Sequence, residues 1–181
     1  MIKEEEIRNN LVIRVAEEMM TAARTAPQAK GIDNLVLAMA TGNDIEKIAE
    51  KMEEIGNRLD GTPSFTRDAA NIRNAQAIVL LGTHIKSQGV KLCGRCGFTD
   101  CDEKDKHPGF PCTFNTGDLG IAIGSAVSVA MDHRIDNRVM YTIGQAVLEM
   151  KILGKDVKIA FGIPLSVGAK NPFFDRENKK V

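Results

Sequence analysis

The sequence lacks net charge, a long apolar run and any cysteine outside one short stretch. Lys plus Arg and Asp plus Glu number 24 each, which argues against a broad basic patch for nucleic acid or an anionic membrane surface. The longest apolar run, around Ala75 to Leu81, is far shorter than the roughly 20 residues a membrane-spanning helix needs. The opening MIKEEEIRNN has no apolar core and is not expected to act as a secretory leader. Internal repeats, low-complexity tracts and a domain boundary are also missing. A chain of 181 residues is therefore expected to form one domain, residues 1–181, in the cytoplasm. Gly117 and Gly120 do not make a dinucleotide fingerprint, because no strand and turn of the right kind precede them. No residue stands out as a catalytic acid, base or nucleophile.

What is there is a concentration of thiols. Cys93, Cys96 and Cys101 lie in CGRCGFTDC, and Cys112, the last of the four cysteines, follows in the same loop-like segment. In a reducing compartment, clustered cysteines point to metal ligands or redox thiols more than to structural disulfides. The spacing is Cys-x2-Cys-x4-Cys-x10-Cys. An iron–sulfur cluster needs several thiolates converging from tight loops. Gly94 and Gly97 follow two of the cysteines and let backbone N–H groups turn toward sulfur. A structural zinc site normally draws on two paired knuckles, and only Cys93 and Cys96 make one here. Iron–sulfur therefore ranks ahead of zinc, and zinc ahead of metal-free redox thiols. His107, beside Pro108, reads as a solvated loop histidine before a substitute ligand.

Around this segment the chain reads as alternating helices and strands, an α/β or α+β layer. Ile7, Leu11, Val15, Met19 and Ala23 mark a helix from Glu4 to Ala26, which Pro27 stops. Leu35 to Ala40 is expected as a buried strand. Asn43 and Glu46 suggest a capping box for a helix whose apolar face runs from Ile45 to Leu59. A shorter helix is expected at Thr66 to Asn74 and a second buried strand at Ala77 to Thr83. The cysteine-rich segment, residues 84–115, reads as an insertion before a long glycine-containing helix that begins at Thr116. A further helix (Arg138 to Leu153), a third strand (Val157 to Ile163) and an extended tail from Pro164 follow. Asp118 reads as a helix-start cap, and Tyr141 as a packing residue.

CGRCGFTDC resembles the CGxCGxxxC core of the small 4Fe–4S domain of electron-transport and carbon monoxide dehydrogenase-associated proteins. AARTAPQAKGIDNLVLAMATG, from Ala22, is similar to the segment of nitroreductase-like flavoproteins that often reads APSxxNxQPW. Gln28, Gly31 and Asp33 stand where that pattern has serine, asparagine and glutamine. GDLGIAIGSAVSVAMDHRIDN resembles the central helix of those dimers, and IAFGIPLSVGAKNPFFDR their closing strand, with Gly162, Ile163 and Pro164 as its turn. The whole resembles a family described as containing a ferredoxin domain.

The resemblance implies an α+β, nitroreductase-like fold, helices around a small central sheet, in an interlocked homodimer. It implies FMN contacts at Arg24, Gln28, Lys30, Asp33, Gly162 and Pro164, and a 4Fe–4S cluster on Cys93, Cys96, Cys101 and Cys112. The N-terminal arginine motif for the FMN phosphate is absent, since Arg8 and Arg14 do not form it. Arg24, Lys30, Lys170 and Arg176 remain as cations, with a solvated role for Arg24 and Lys30 as the alternative. Two functions follow. One is a redox protein that trades electrons with a donor or acceptor protein. The other is a non-catalytic protein with a zinc clip or a cluster-based sensor on a decayed flavoprotein fold.

Overall fold

The structure, a computed structural model, describes residues 1–58 and 61–174. Leu59 of the second helix's expected apolar face and Arg176 lie outside the described residues. Helix α1 spans Glu4–Thr25, and a 3-10 turn at Ala29–Gly31 leads into strand β1, Leu35–Thr41. Helices α2 (Asn43–Gly56) and α3 (Pro63–Ile72) precede β2, Ala77–Thr83. Beyond the cysteine segment come α4 (Cys101–Asp105), α5 (Thr113–Asp132), β3 (Asp136–Asn137), α6 (Tyr141–Met150) and β4, Ile159–Ser166.

The strands form one antiparallel sheet in the order β1-β2-β4-β3. Successive strand residues face opposite sides, and β2 shows the consequence. Ile78 and Leu80 join a core with Ile48 and Met52 of α2, Phe65 and Ile72 of α3, and Ile143 and Val147 of α6. Ala77, Val79 and Leu81 join a second core with Val12 and Met19 of α1 and Leu119, Ala122 and Ala126 of α5. Helices thus cover both faces, and every residue of β2 is buried. β1 lies at the sheet's edge, and its middle residues are only half-buried.

Several boundaries differ from the sequence expectation. Asn43 does not cap α2; Gly42, at φ +50°, takes that position without a side-chain bond. Glu46 instead receives Arg73, at 2.8 Å. α3 starts three residues early because Pro63 suits the first helical position. α6 starts at Tyr141 rather than Arg138, since Asp136 and Asn137 pair with β4 and Met140 bridges Gly162. β4 continues through Pro164 to Ser166. Gly162 donates its N–H to Met140 O, so Pro164, two residues on, turns its missing donor to the same side, between that bridge and the short β3 pairing.

α6 lies close against β4. A Cβ on Gly144 would collide with the Ala160 carbonyl, and one on Gly162 would collide with the Ile143 side chain. The two glycines allow that approach. Outside this layer, Arg58 spans Glu54 and Glu149 and ties α2 to α6.

Candidate functional site

The cysteine segment hangs from the end of β2. Thr83 and His84 fasten its start: Thr83 Oγ1 and the His84 N–H both donate to Asn34 O, at 3.3 and 3.1 Å. The loop then turns repeatedly through left-handed backbone, at Gly89, Leu92, Gly94 and Gly97. Gly94 and Gly97 each follow a cysteine, and their positive φ values, +56° and +90°, coil the Cys93–Cys96 turn back on itself. Asp100 caps α4 by accepting the Glu103 N–H at 2.8 Å, which sets Cys101 as the first residue of that short helix. Cys112 is the N-cap of the 20-residue α5, which begins three residues before the expected Thr116.

These elements bring Cys93, Cys96, Cys101 and Cys112 to the wall of one cavity. Its free volume is small, about 10 Å³, room for about one water. Cys112 is buried, the other three are half-buried, and all four are free thiols. Among the described residues, no three His, Cys, Asp or Glu side chains converge as ligands for one metal ion.

Two sources of positive charge reach the cavity, beside one carboxylate on its wall, Asp100, and with Lys104 also 3.5 Å from Asp105. The N-terminus of α5, the positive end of its dipole, opens at Cys112. Lys104 lines the cavity, is 3% exposed, and donates to Ile85 O at 2.9 Å. Gln88 lines it too, also 3% exposed, and neither amide atom has a partner among the described residues. Asn115, one turn into α5, is likewise fully buried and unpaired. Burying an unsatisfied amide costs roughly 1–3 kcal/mol, so Gln88, on the wall that the thiols share, calls for a partner. An anionic cluster with sulfur acceptors matches both the donors and the four thiols. His107 is half-exposed and stacks on Phe98, with ring centroids 5.1 Å apart; it does not line the cavity.

The segment after α1 packs beside this site. The Ala29 N–H donates to Asp118 Oδ2 at 3.0 Å, so Asp118 caps this turn from within α5 rather than the start of its own helix. Lys30, at φ +57°, donates to Gly89 O at 3.4 Å. Arg24 Nη1 holds both Asp33 carboxylate oxygens and the Leu35 carbonyl. Gln28 Oε1 accepts the Asn34 N–H. An open groove of about 710 Å³, continuous with solvent, runs between α1 and β1 past Arg24 and Leu37.

Arg24, Gln28 and Asp33 thus gather around the Asn34–Leu35 backbone, and Lys30 reaches the cysteine loop. Gly162 and Pro164 do not join them. They pair with Leu80 and Ile78 within the sheet, and packing against Ile143 accounts for Gly162. Sequence reasoning passed over Gln88, Lys104 and Asn115. No local signal marks them, because their placement depends on how an aperiodic loop closes.

Residues 108–176 match the family described as "Uncharacterized protein containing a ferredoxin domain (DUF2148)". A protein of Archaeoglobus fulgidus is 40% identical over 188 residues, spanning 99% of this chain and 100% of that relative. Among solved structures, a nitroreductase with bound FMN from Bacteroides fragilis is similar at a TM-score of 0.61 and 12% identity, covering 92% of this chain and 83% of that one. A nitroreductase with bound FMN from Desulfitobacterium hafniense follows at 0.57 and 15%, covering 93% and 85%. A nitroreductase family protein from Clostridium novyi NT gives 0.57 and 13%, covering 85% and 73%. The fold is nitroreductase-like.

Proposed function

The chain belongs to the family described as containing a ferredoxin domain, and on that premise we propose that it is a redox protein whose centre is a 4Fe–4S cluster on Cys93, Cys96, Cys101 and Cys112. The observation that carries this reading is the shared cavity: every cysteine of the chain lines it. Such a cluster supplies one-electron exchange when bound. The protein's part is to hold four separated thiolates, to offset their charge with Lys104 and the start of α5, and to supply amide donors. A cube of iron and sulfide presents a different iron to each thiolate, which suits four thiols that line one cavity without converging as ligands of one ion. A single zinc ion would need them drawn to one point. The cysteine segment, starting at residue 84, serves as an insertion into a single nitroreductase-like domain.

FMN is a weaker match. A flavin phosphate needs convergent cations or free N–H groups, yet Arg24 is engaged by Asp33 and Lys30 by Gly89 O. The redox role therefore rests on the cysteine cavity. That same Arg24–Asp33 pair carries the second reading, a non-catalytic sensor or zinc-clipped protein on a flavoprotein fold that no longer binds FMN.

The protein also acts as a homodimer in this account. α5 exposes Ile121 and Met131, and α1 exposes Ile7 and Leu11, on the outer side of the layer they share. A second copy would cover such a face. Among the described residues no helix is long and apolar enough to cross a membrane.

Anaerobic purification followed by an absorption spectrum tests the reading. Broad brown absorbance supports the cluster, and a resolved yellow flavin spectrum would restore FMN to the site. Colourless protein with stoichiometric zinc would overturn the redox function. A dimer by light scattering is expected, and a monomer would remove the second copy.

A further inference from the structure

We propose that Gln88 is a hydrogen-bond donor to the cluster, its side-chain amide N–H directed at a cysteine or sulfide sulfur, and that it raises the reduction potential. The inference rests on the cluster reading above and assigns a residue outside the cysteine motif. Gln88 is fixed from both sides. Ser87 Oγ donates to Asp105 Oδ1 at 2.6 Å, which ties the preceding residue to the helix that begins at Cys101. Gly89 O accepts from Lys30 Nζ, which ties the following residue to the turn after α1. Between these anchors the Gln88 side chain lines the cavity shared by the four cysteines, buried with both amide atoms unpartnered among the described residues.

The other buried polar group of that wall is differently committed. Lys104 already donates to Ile85 O. Gln88 is thus the uncommitted amide on the cavity wall. A donor to sulfur stabilises the form with more negative charge, which is the reduced one. Its removal lowers the potential.

A structural role makes the opposite prediction. If Gln88 only filled space, replacing an unsatisfied amide by an apolar side chain of similar shape would be neutral or stabilising, with no effect on the potential. Gln88→Met separates the two. Wild type and Gln88→Met are reconstituted anaerobically with iron and sulfide and titrated with dithionite, with the spectrum recorded against potential. At the wild-type midpoint the variant's ratio of reduced to oxidised cluster is expected to fall about tenfold, a lowering of about 59 mV for a one-electron couple. An unchanged or raised midpoint overturns the role of Gln88 while leaving the cluster in place. A wild-type protein that takes up no iron and sulfide overturns the cluster reading and this inference together. Should Gln88→Met fail to retain its cluster, wild-type protein labelled with 15N in glutamine side-chain amides decides. Hyperfine coupling of that nitrogen, or of its exchangeable proton, to the reduced cluster is expected, and its absence overturns the assignment.

Discussion

Thr113 Oγ1 donates to the Arg95 carbonyl at 2.9 Å. The first residue of α5 is thereby fastened to the turn between Cys93 and Cys96, and Cys112 is brought to face that turn. The contact joins the last cysteine of the segment to the first two. Thr113→Val removes the hydroxyl while keeping the side-chain shape. The bond is worth roughly 0.5–1.5 kcal/mol, so cluster iron should pass to a chelator up to about tenfold faster, with little change in far-UV circular dichroism. An unchanged release rate would mean that this bond does not hold the cavity together.

The close approach of α6 to β4 gives a stability prediction. Gly144→Ala would drive a methyl group into the Ala160 carbonyl, which is fixed in the sheet, and should cost about 3 kcal/mol or more. Gly162→Ala meets the fully buried Ile143 side chain at its Cβ as well as its Cγ2, so side-chain rotation alone does not relieve it; the cost should also be substantial, though below that of a clash with sheet backbone. Urea unfolding of the two variants checks the order. Equal and small losses would show that the glycines are not there for packing.

On the α2–α6 surface, Glu149 accepts two hydrogen bonds from Arg58, each at 2.8 Å, beside Lys51 and with Glu54 on the same arginine. Hydrogen bonding from Arg58 holds the Glu149 carboxyl below the usual carboxylate range; burial opposes it, and a lesser hydrogen bond from Lys51 adds to the lowering. A depressed folded-state pKa stabilises the protein fully above the unfolded value, about 4.3, and the contribution fades as pH falls through the folded value. Wild type should therefore exceed Glu149→Gln by a modest, constant margin at neutral pH. The margin should close below about pH 4, as measured by urea unfolding at stepped pH. A margin independent of pH in that range would contradict the assignment.

The Arg24–Asp33 pair makes the flavin question testable. Asp33→Asn keeps an oxygen for the Leu35 N–H, which Asp33 accepts at 3.1 Å, and releases the guanidinium from its carboxylate, leaving only its bond to the Leu35 carbonyl. A charge-assisted bond to phosphate is worth roughly 1.5–3 kcal/mol, so the variant should bind added FMN about tenfold or more tightly than wild type by fluorescence quenching. Equal affinity would show that Arg24 is not placed to meet the phosphate.

Much of this fold was legible in the sequence where burial is continuous or periodic. β2 was readable to the residue because helices cover both its faces, leaving an uninterrupted apolar run from Ala77 to Leu81. α1 was readable from its apolar spacing and from Pro27, which stops it. The limits lie where distant residues decide. Glu46 looked like a capping partner of Asn43, but Arg73 of the next helix engages it. Pro164 looked like the end of a strand, but the bridge between Met140 and Gly162 leaves its side of the sheet undemanding. In the site, the cysteines announced themselves by spacing. Gln88 and Lys104 did not, because only loop closure makes them neighbours of the thiols.

The most direct measurement is the iron and acid-labile sulfide content of anaerobically prepared wild-type protein beside Cys96→Ala. The account predicts equimolar iron and sulfide in the wild type, and loss of both in the variant. Wild-type protein carrying zinc without sulfide, or a variant that keeps its full iron content, would contradict it.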